Sequence, residues 1–202
     1  MFNESHWWHT EMKREQLMER LSKLPLDLLV TYAVGCATHA SEVVRTDVPT
    51  QEIKDFQGST LLLDLFWKDY PQSVSGVSLA NIAKQAEEVI TNELGPEPDE
   101  KFLQVPGAEP LLWAVLYSLT LASNPTPVIP AYSALGKSYF AVYAHYANDE
   151  QAINEGRMHE VEKATPRCVA EIKFQTSFLR YLENTKSLPS NYSEISSCYD
   201  ID

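Results

Sequence analysis

The sequence predicts an all-α fold, a single-domain antiparallel helical bundle of about seven helices. Three observations carry that reading. The 202 residues include only seven glycines, apolar residues recur at spacings of three and four, and neither Asn-Gly nor Asp-Gly turns nor strand-like alternation occur. A chain of this length can bury a full core without disulfide or metal staples, and an apolar content of 44% is usual for a folded globular protein.

The first helix is expected from Thr10, as N-cap, to Leu24, with Leu17, Leu21 and Leu24 on one stripe and Pro25 ending it. The second starts near Pro25 and carries Leu29, Ala33, Cys36, Ala40 and Val43. So few charges lie between Asp27 and Glu42 that this helix should be central. A third covers Ser59 to Tyr70. The fourth starts at Ser78, with Leu79, Ile82, Ala86 and Val89 inward and Lys84, Glu87 and Glu88 toward water. The fifth runs from Glu109 to Ala122. The proline-rich NPTPVIP, 124–130, separates it from a sixth over Ala131 to Tyr146. The last opens with Thr165 as N-cap and Pro166 in its first turn, with Val169, Ile172, Leu179 and Leu182 inward. This divides the chain into an aromatic arm at 1–9, the bundle at 10–183 and a polar tail at 184–202 that is expected to be mobile.

No basic region followed by an apolar run and a cleavage site opens the chain. The longest apolar stretch, 111–122, is shorter than the roughly 20 residues of a membrane-spanning helix. A cytoplasmic location is expected. Cys36, Cys168 and Cys198 are odd in number and form no C-x-x-C pair, which argues against a disulfide framework. Cys36 and Cys168 fall in helical patterns and read as small buried apolar side chains. The net charge of −12 opposes binding to nucleic acid or an anionic membrane and suits a basic protein partner.

Helices that alternate up and down bring the second, fourth and sixth interhelical connections to one end. Those connections hold Glu42, Asp47, Glu52 and Asp55, then Glu93, Glu97, Asp99 and Glu100, then Asp149, Glu150, Glu155, Glu160 and Glu162. The opposite connections, Leu24-Pro25, PQSVSGV and NPTPVIP, hold no charge, so one end should be strongly negative. The arm enters the first helix at that end, which sets Trp7 and Trp8 beside the carboxylates. A full-length extra helix within 149–162 would reverse the last helix.

The arm itself contains HWWH, residues 6–9. His6 and His9 could share a face, but zinc needs three or four ligands and nothing nearby completes the set, so no metal or other cofactor is expected. Trp7 and Trp8 suit a core anchor first and a contact on a partner second. His39 with Glu42, and Glu155 with His159, could each meet on a helical face. No Glu-x-x-His occurs, so a bundle di-metal centre is not supported. His39 reads as a satisfied histidine at the core edge. Tyr132, Tyr139, Phe140, Tyr143 and Tyr146 form an aromatic band whose simplest role is packing; a single-strand nucleic-acid platform would need more cations than Lys137. No nucleophile elbow, phosphate loop or H-E-x-x-H motif is present, so a non-enzymatic role is expected.

The run ATPRCVAEIKFQTSFLRYLE, 164–183, resembles the closing helix of a group of all-helical bacterial domains. That group includes an uncharacterised conserved family and immunity proteins of polymorphic toxin systems. The shared pattern is a helix-opening proline, then Glu, Gln and spaced leucines, here Pro166, Glu171, Gln175, Leu179 and Leu182. LSKLPLDLLVTYAVGCATHASEVV, 21–44, and EPLLWAVLYSLTLA, 109–122, are similar to its earlier helices, so the likeness spans about residues 15–183. It implies an immunity protein that blocks a cognate toxin; the lack of an export signal suggests that the toxin acts in the cytoplasm, and the acidic charge suits a basic one such as a nuclease. The expected contacts are Trp7, Trp8, Glu93, Glu97, Asp99, Glu100, Asp149, Glu150, Glu155 and Glu160. Two rivals are a metal-dependent hydrolase using His6, His9, His39 or His159, and a regulatory or scaffolding bundle that pairs through its uncharged end.

Overall fold

A computed structural model describes residues 6–50, 52–94, 103 and 105–197, with residues 93 and 94 described by backbone alone. Every regular element among the described residues is helical. These are α1 (Trp7–Met12), α2 (Arg14–Ser22), α3 (Leu26–Arg45), α4 (Gln57–Lys68), α5 (Gly76–Leu94), α6 (Ala108–Thr120), α7 (Val128–Tyr146), α8 (Glu150–Asn154), α9 (Met158–Ala164), α10 (Pro166–Thr185) and α11 (Tyr192–Ser196). Short 3₁₀ turns at Ile53–Phe56, Gln72–Val74 and Leu121–Ser123 complete the path. The all-α class is as expected, and the helices outnumber the seven anticipated for three local reasons.

The first reason is a change of phase. Trp8 and Met12 lie inward on α1, and a continuous helix would next turn Glu15, Gln16 and Glu19 to the core, whereas the apolar residues are Leu17 and Leu21. At about 100° per residue, Leu17 stands about 140° around the axis from Met12. Lys13 at φ 45° breaks the helix and re-aims the stripe, and Thr10 lies inside α1 instead of capping it. The second reason is Gly156 at φ 71°, which divides 149–164 into α8 and α9 where one long helix could have formed. The third is the segment after α10. Ile195 is fully buried, the Tyr192 hydroxyl donates to Glu42 at 2.9 Å, and Tyr181 hydrogen bonds Glu194. The described part of the tail is therefore docked on the bundle, because its apolar and aromatic residues have a surface to cover.

Helix α3 is the central element: every residue from Leu28 to Thr38 is buried. It packs against α7, α6 and α10. Each fully buried Leu or Val in such a helix contributes about 1.5–3 kcal/mol. Close approach is bought by small residues. Gly35 faces the Phe178 ring so tightly that a Cβ would lie 2.5 Å from it.

Side-chain contacts fix the helix directions. Tyr146, at the end of α7, donates to the Val43 carbonyl near the end of α3 at 2.7 Å, so these two helices run parallel. Arg167, at the start of α10, stacks 5.7 Å from the Tyr146 ring centroid, while Arg20 bonds Glu183 at the other end of α10. Helix α10 is thus antiparallel to both, as expected, because α8 and α9 are too short to reverse the chain.

Candidate protein-binding surface

Contacts between the connections bring them to one end of the bundle. Asp55, between α3 and α4, accepts the Val105 amide at 3.0 Å, and the Pro106 carbonyl lies 3.2 Å from His145 Nδ1 near the end of α7. Asp47 accepts from the Tyr146 hydroxyl at 2.9 Å and lies 4.0 Å from Arg167. The α3–α4 connection, the described residues just before α6 and the α7–α10 connection therefore share this end. In sequence, residues 42–57, 92–107 and 147–165 hold thirteen acidic and five basic residues. That excess is most of the chain's net negative charge.

The individual carboxylates do different work. Glu42, Asp47, Glu52, Asp149, Glu150, Glu155 and Glu160 are exposed. Asp149 caps α8 by accepting the Ala152 amide at 3.0 Å. Hydrogen bonds from Gln151 and Arg157 hold the Glu155 carboxyl below the usual carboxylate range. Glu160 lies 4.0 Å from Arg157. Glu93 lies in the last turn of α5, while Glu97, Asp99 and Glu100 lie outside the described residues. Glu162, grouped with the surface charges by sequence, is in the core with no exposed area.

The partner that holds Glu162 is the HWWH strap. One carboxylate oxygen lies 2.8 Å from His6 Nδ1 and accepts from the Tyr139 hydroxyl at 3.0 Å. The other accepts the Trp7 amide at 2.8 Å. A carboxylate that loses all contact with water needs this many donors. Trp8, 1% exposed, stacks near Tyr132 and Tyr139 and donates from Nε1 to Gln175 at 2.9 Å. Both tryptophans are thus anchors, and their expected contact with a partner is corrected: Trp7 is buried too, with its indole N–H on Glu11 at 2.7 Å.

A second buried carboxylate adjoins the first network. Glu171, also without exposed area, accepts from Gln175 Nε2 at 2.9 Å and pairs with His39 Nδ1 at 2.7 Å. His39 stacks flat on Phe174, with ring centroids 3.9 Å apart. His39 therefore meets Glu171 across helices, not Glu42 along its own. Glu155 likewise turns to Gln151 and Arg157. Cys36 and Cys168 are free and buried. Burial pushes the Cys168 thiol up to about 12 and the Cys36 thiol well above its ordinary value, with Glu171 adding to both. Neither is a poised nucleophile. Among the described residues no group of three or more His, Cys, Asp or Glu is placed to hold a metal ion. No helix among them is long and apolar enough to cross a membrane.

Comparison with known proteins adds no relative: no family model, curated protein or solved structure matches the chain. The residues that sequence reasoning missed are Glu162 as a core group and its bonds to the strap. Their signal was faint, since Glu162 sits among surface carboxylates in sequence. Glu171 and Gln175 carried a clearer one, because they fall four apart on the same inward stripe as Phe178, Leu179 and Leu182.

Proposed function

We propose that this protein binds a basic protein partner through its acidic end, and that it acts as an immunity protein against a cytoplasmic toxin with a cationic surface. The observation that carries the reading is that the α3–α4 and α7–α10 connections, with their exposed carboxylates at 42–52 and 149–160, meet at one end of the bundle beside Val105 and Pro106. Complementary fields speed encounter and favour docking on a positively charged groove. The toxin role rests on the resemblance over about residues 15–183 and on the chain's charge, and the chain needs no catalytic group for this task.

The exposed Glu150 and Glu160, with Glu97, Asp99 and Glu100, are the contacts assigned to this surface. Ile153, 42% exposed on α8 beside Glu150, offers an apolar contact within the acidic rim. Co-expression with the product of the neighbouring reading frame tests the proposal. A toxic neighbour whose growth arrest is relieved by the wild type but not by a Glu97→Lys, Asp99→Lys, Glu100→Lys variant supports it. Equal relief by both proteins contradicts this surface.

A further inference from the structure

The bonds of Glu162 tie two parts of the chain that sequence keeps far apart. Two of its three hydrogen-bond partners, His6 and the Trp7 amide, belong to the strap, and only Tyr139 belongs to the bundle proper. Helix α9, which carries Glu162, has seven residues. A helix of that length has no stability of its own and depends on packing. Its inward side chains besides Glu162 are Met158 and the half-buried His159 and Val161, and α9 packs on α1, α10 and α8. On the outward side, the Lys163 ammonium lies 5.8 Å from the Trp7 ring centroid. Helix α8 is joined to α9 by the Arg157 amide on the Ala152 carbonyl at 2.8 Å, next to Gly156 in the left-handed region.

We infer that the strap and α9 form one cooperative unit through Glu162, and that docking of residues 6–12 sets the position of the acidic α8–α9 segment. His6 and Trp7 are then positioning residues for the proposed surface, although both are buried and neither is open to a partner. The purpose given to this coupling rests on the acidic end being the binding surface, while the coupling itself can be measured with no partner present.

Amide hydrogen exchange on the full chain tests it, comparing wild type with His6→Ala and Glu162→Gln. Arg20→Ala, which breaks the Arg20–Glu183 pair away from the strap, serves as control. Loss of a hydrogen bond to a charged group raises a local opening equilibrium by about tenfold or more. Exchange across 150–164 should rise by that factor in His6→Ala and Glu162→Gln, with α3 unchanged, and should not rise in Arg20→Ala. Unchanged exchange across 150–164, or an equal rise in α3, overturns the inference. Should either variant fail to fold, the wild type still decides. A common exchange rate for the Trp7 amide and α9, faster than that of α3, supports one unit, and separate rates contradict it. Binding of a short polylysine peptide is measured in parallel. Failure of the wild type to bind the peptide speaks against the acidic surface, whereas unaltered exchange in the variants speaks against the coupling.

Discussion

At the scale of single residues, the molecule is organised by polar side chains in the core. Gln175 joins three elements: it accepts from Trp8 at 2.9 Å and donates to Glu171 at 2.9 Å and to the Leu135 carbonyl at 3.2 Å. Trp8→Phe keeps much of the packing and leaves the Gln175 oxygen without its donor, a loss of about 1–3 kcal/mol. Trp8→Ala also opens a cavity and should cost about 3–5 kcal/mol. Urea titrations followed by circular dichroism check both, and a Trp8→Ala variant as stable as the wild type would contradict the anchor role. HWWH was legible as an anchor because paired tryptophans beside a helix start have more to gain from burial than from solvent. The fate of each histidine was not legible. His6 acquires its role from Glu162, 156 residues away, and no local spacing encodes such a contact.

At the scale of elements, sequence and structure agree wherever a long apolar stripe meets a strong stop. Pro25 precedes α3, Pro125 and Pro127 separate α6 from α7, and Pro166 opens α10 in its first turn. Pro130 sits in the first turn of α7, which starts three residues before the expected Ala131. Thr165 is the N-cap residue, yet its hydroxyl bonds back to the Val161 carbonyl at 2.8 Å, so the proline and the extended backbone define that start. The elements that escaped detection, α1, α8, α9 and α11, have five to seven residues each. Helices that short are made by tertiary contacts, and periodicity cannot reveal them. Gly107 sets a firmer constraint on α6. It lies at φ 94°, and a Cβ there would meet the Ala141 carbonyl oxygen at 2.5 Å. Gly107→Ala combines a left-handed strain with a backbone clash and should cost about 2 kcal/mol or more. Thermal unfolding checks this, and an unshifted midpoint would show that the α6–α7 approach is looser than described.

At the scale of the whole molecule, the chain segregates its charge and buries its phenols, and each has a consequence in solution. Burial, as the largest cause, pushes Tyr70, Tyr143 and Tyr146 up to about 12 and raises Tyr32, Tyr139 and Tyr192 as well. The unfolded chain releases these protons near pH 10. The folded state then binds more protons than the unfolded one above that pH, so stability falls as pH rises. Stability should hold up to about pH 10 and then drop, with tyrosinate absorbance appearing together with unfolding. Smooth phenol titration of an intact fold would contradict such burial. The charge segregation is the central claim, and titration of isotope-labelled protein with a short polylysine peptide at low ionic strength tests it most directly. Amide shifts confined to residues 42–57, 95–107 and 147–164, and abolished by Glu150→Lys with Glu160→Lys, are the predicted result. Shifts of equal size along α5, where Glu87 and Glu88 are also exposed, would contradict it.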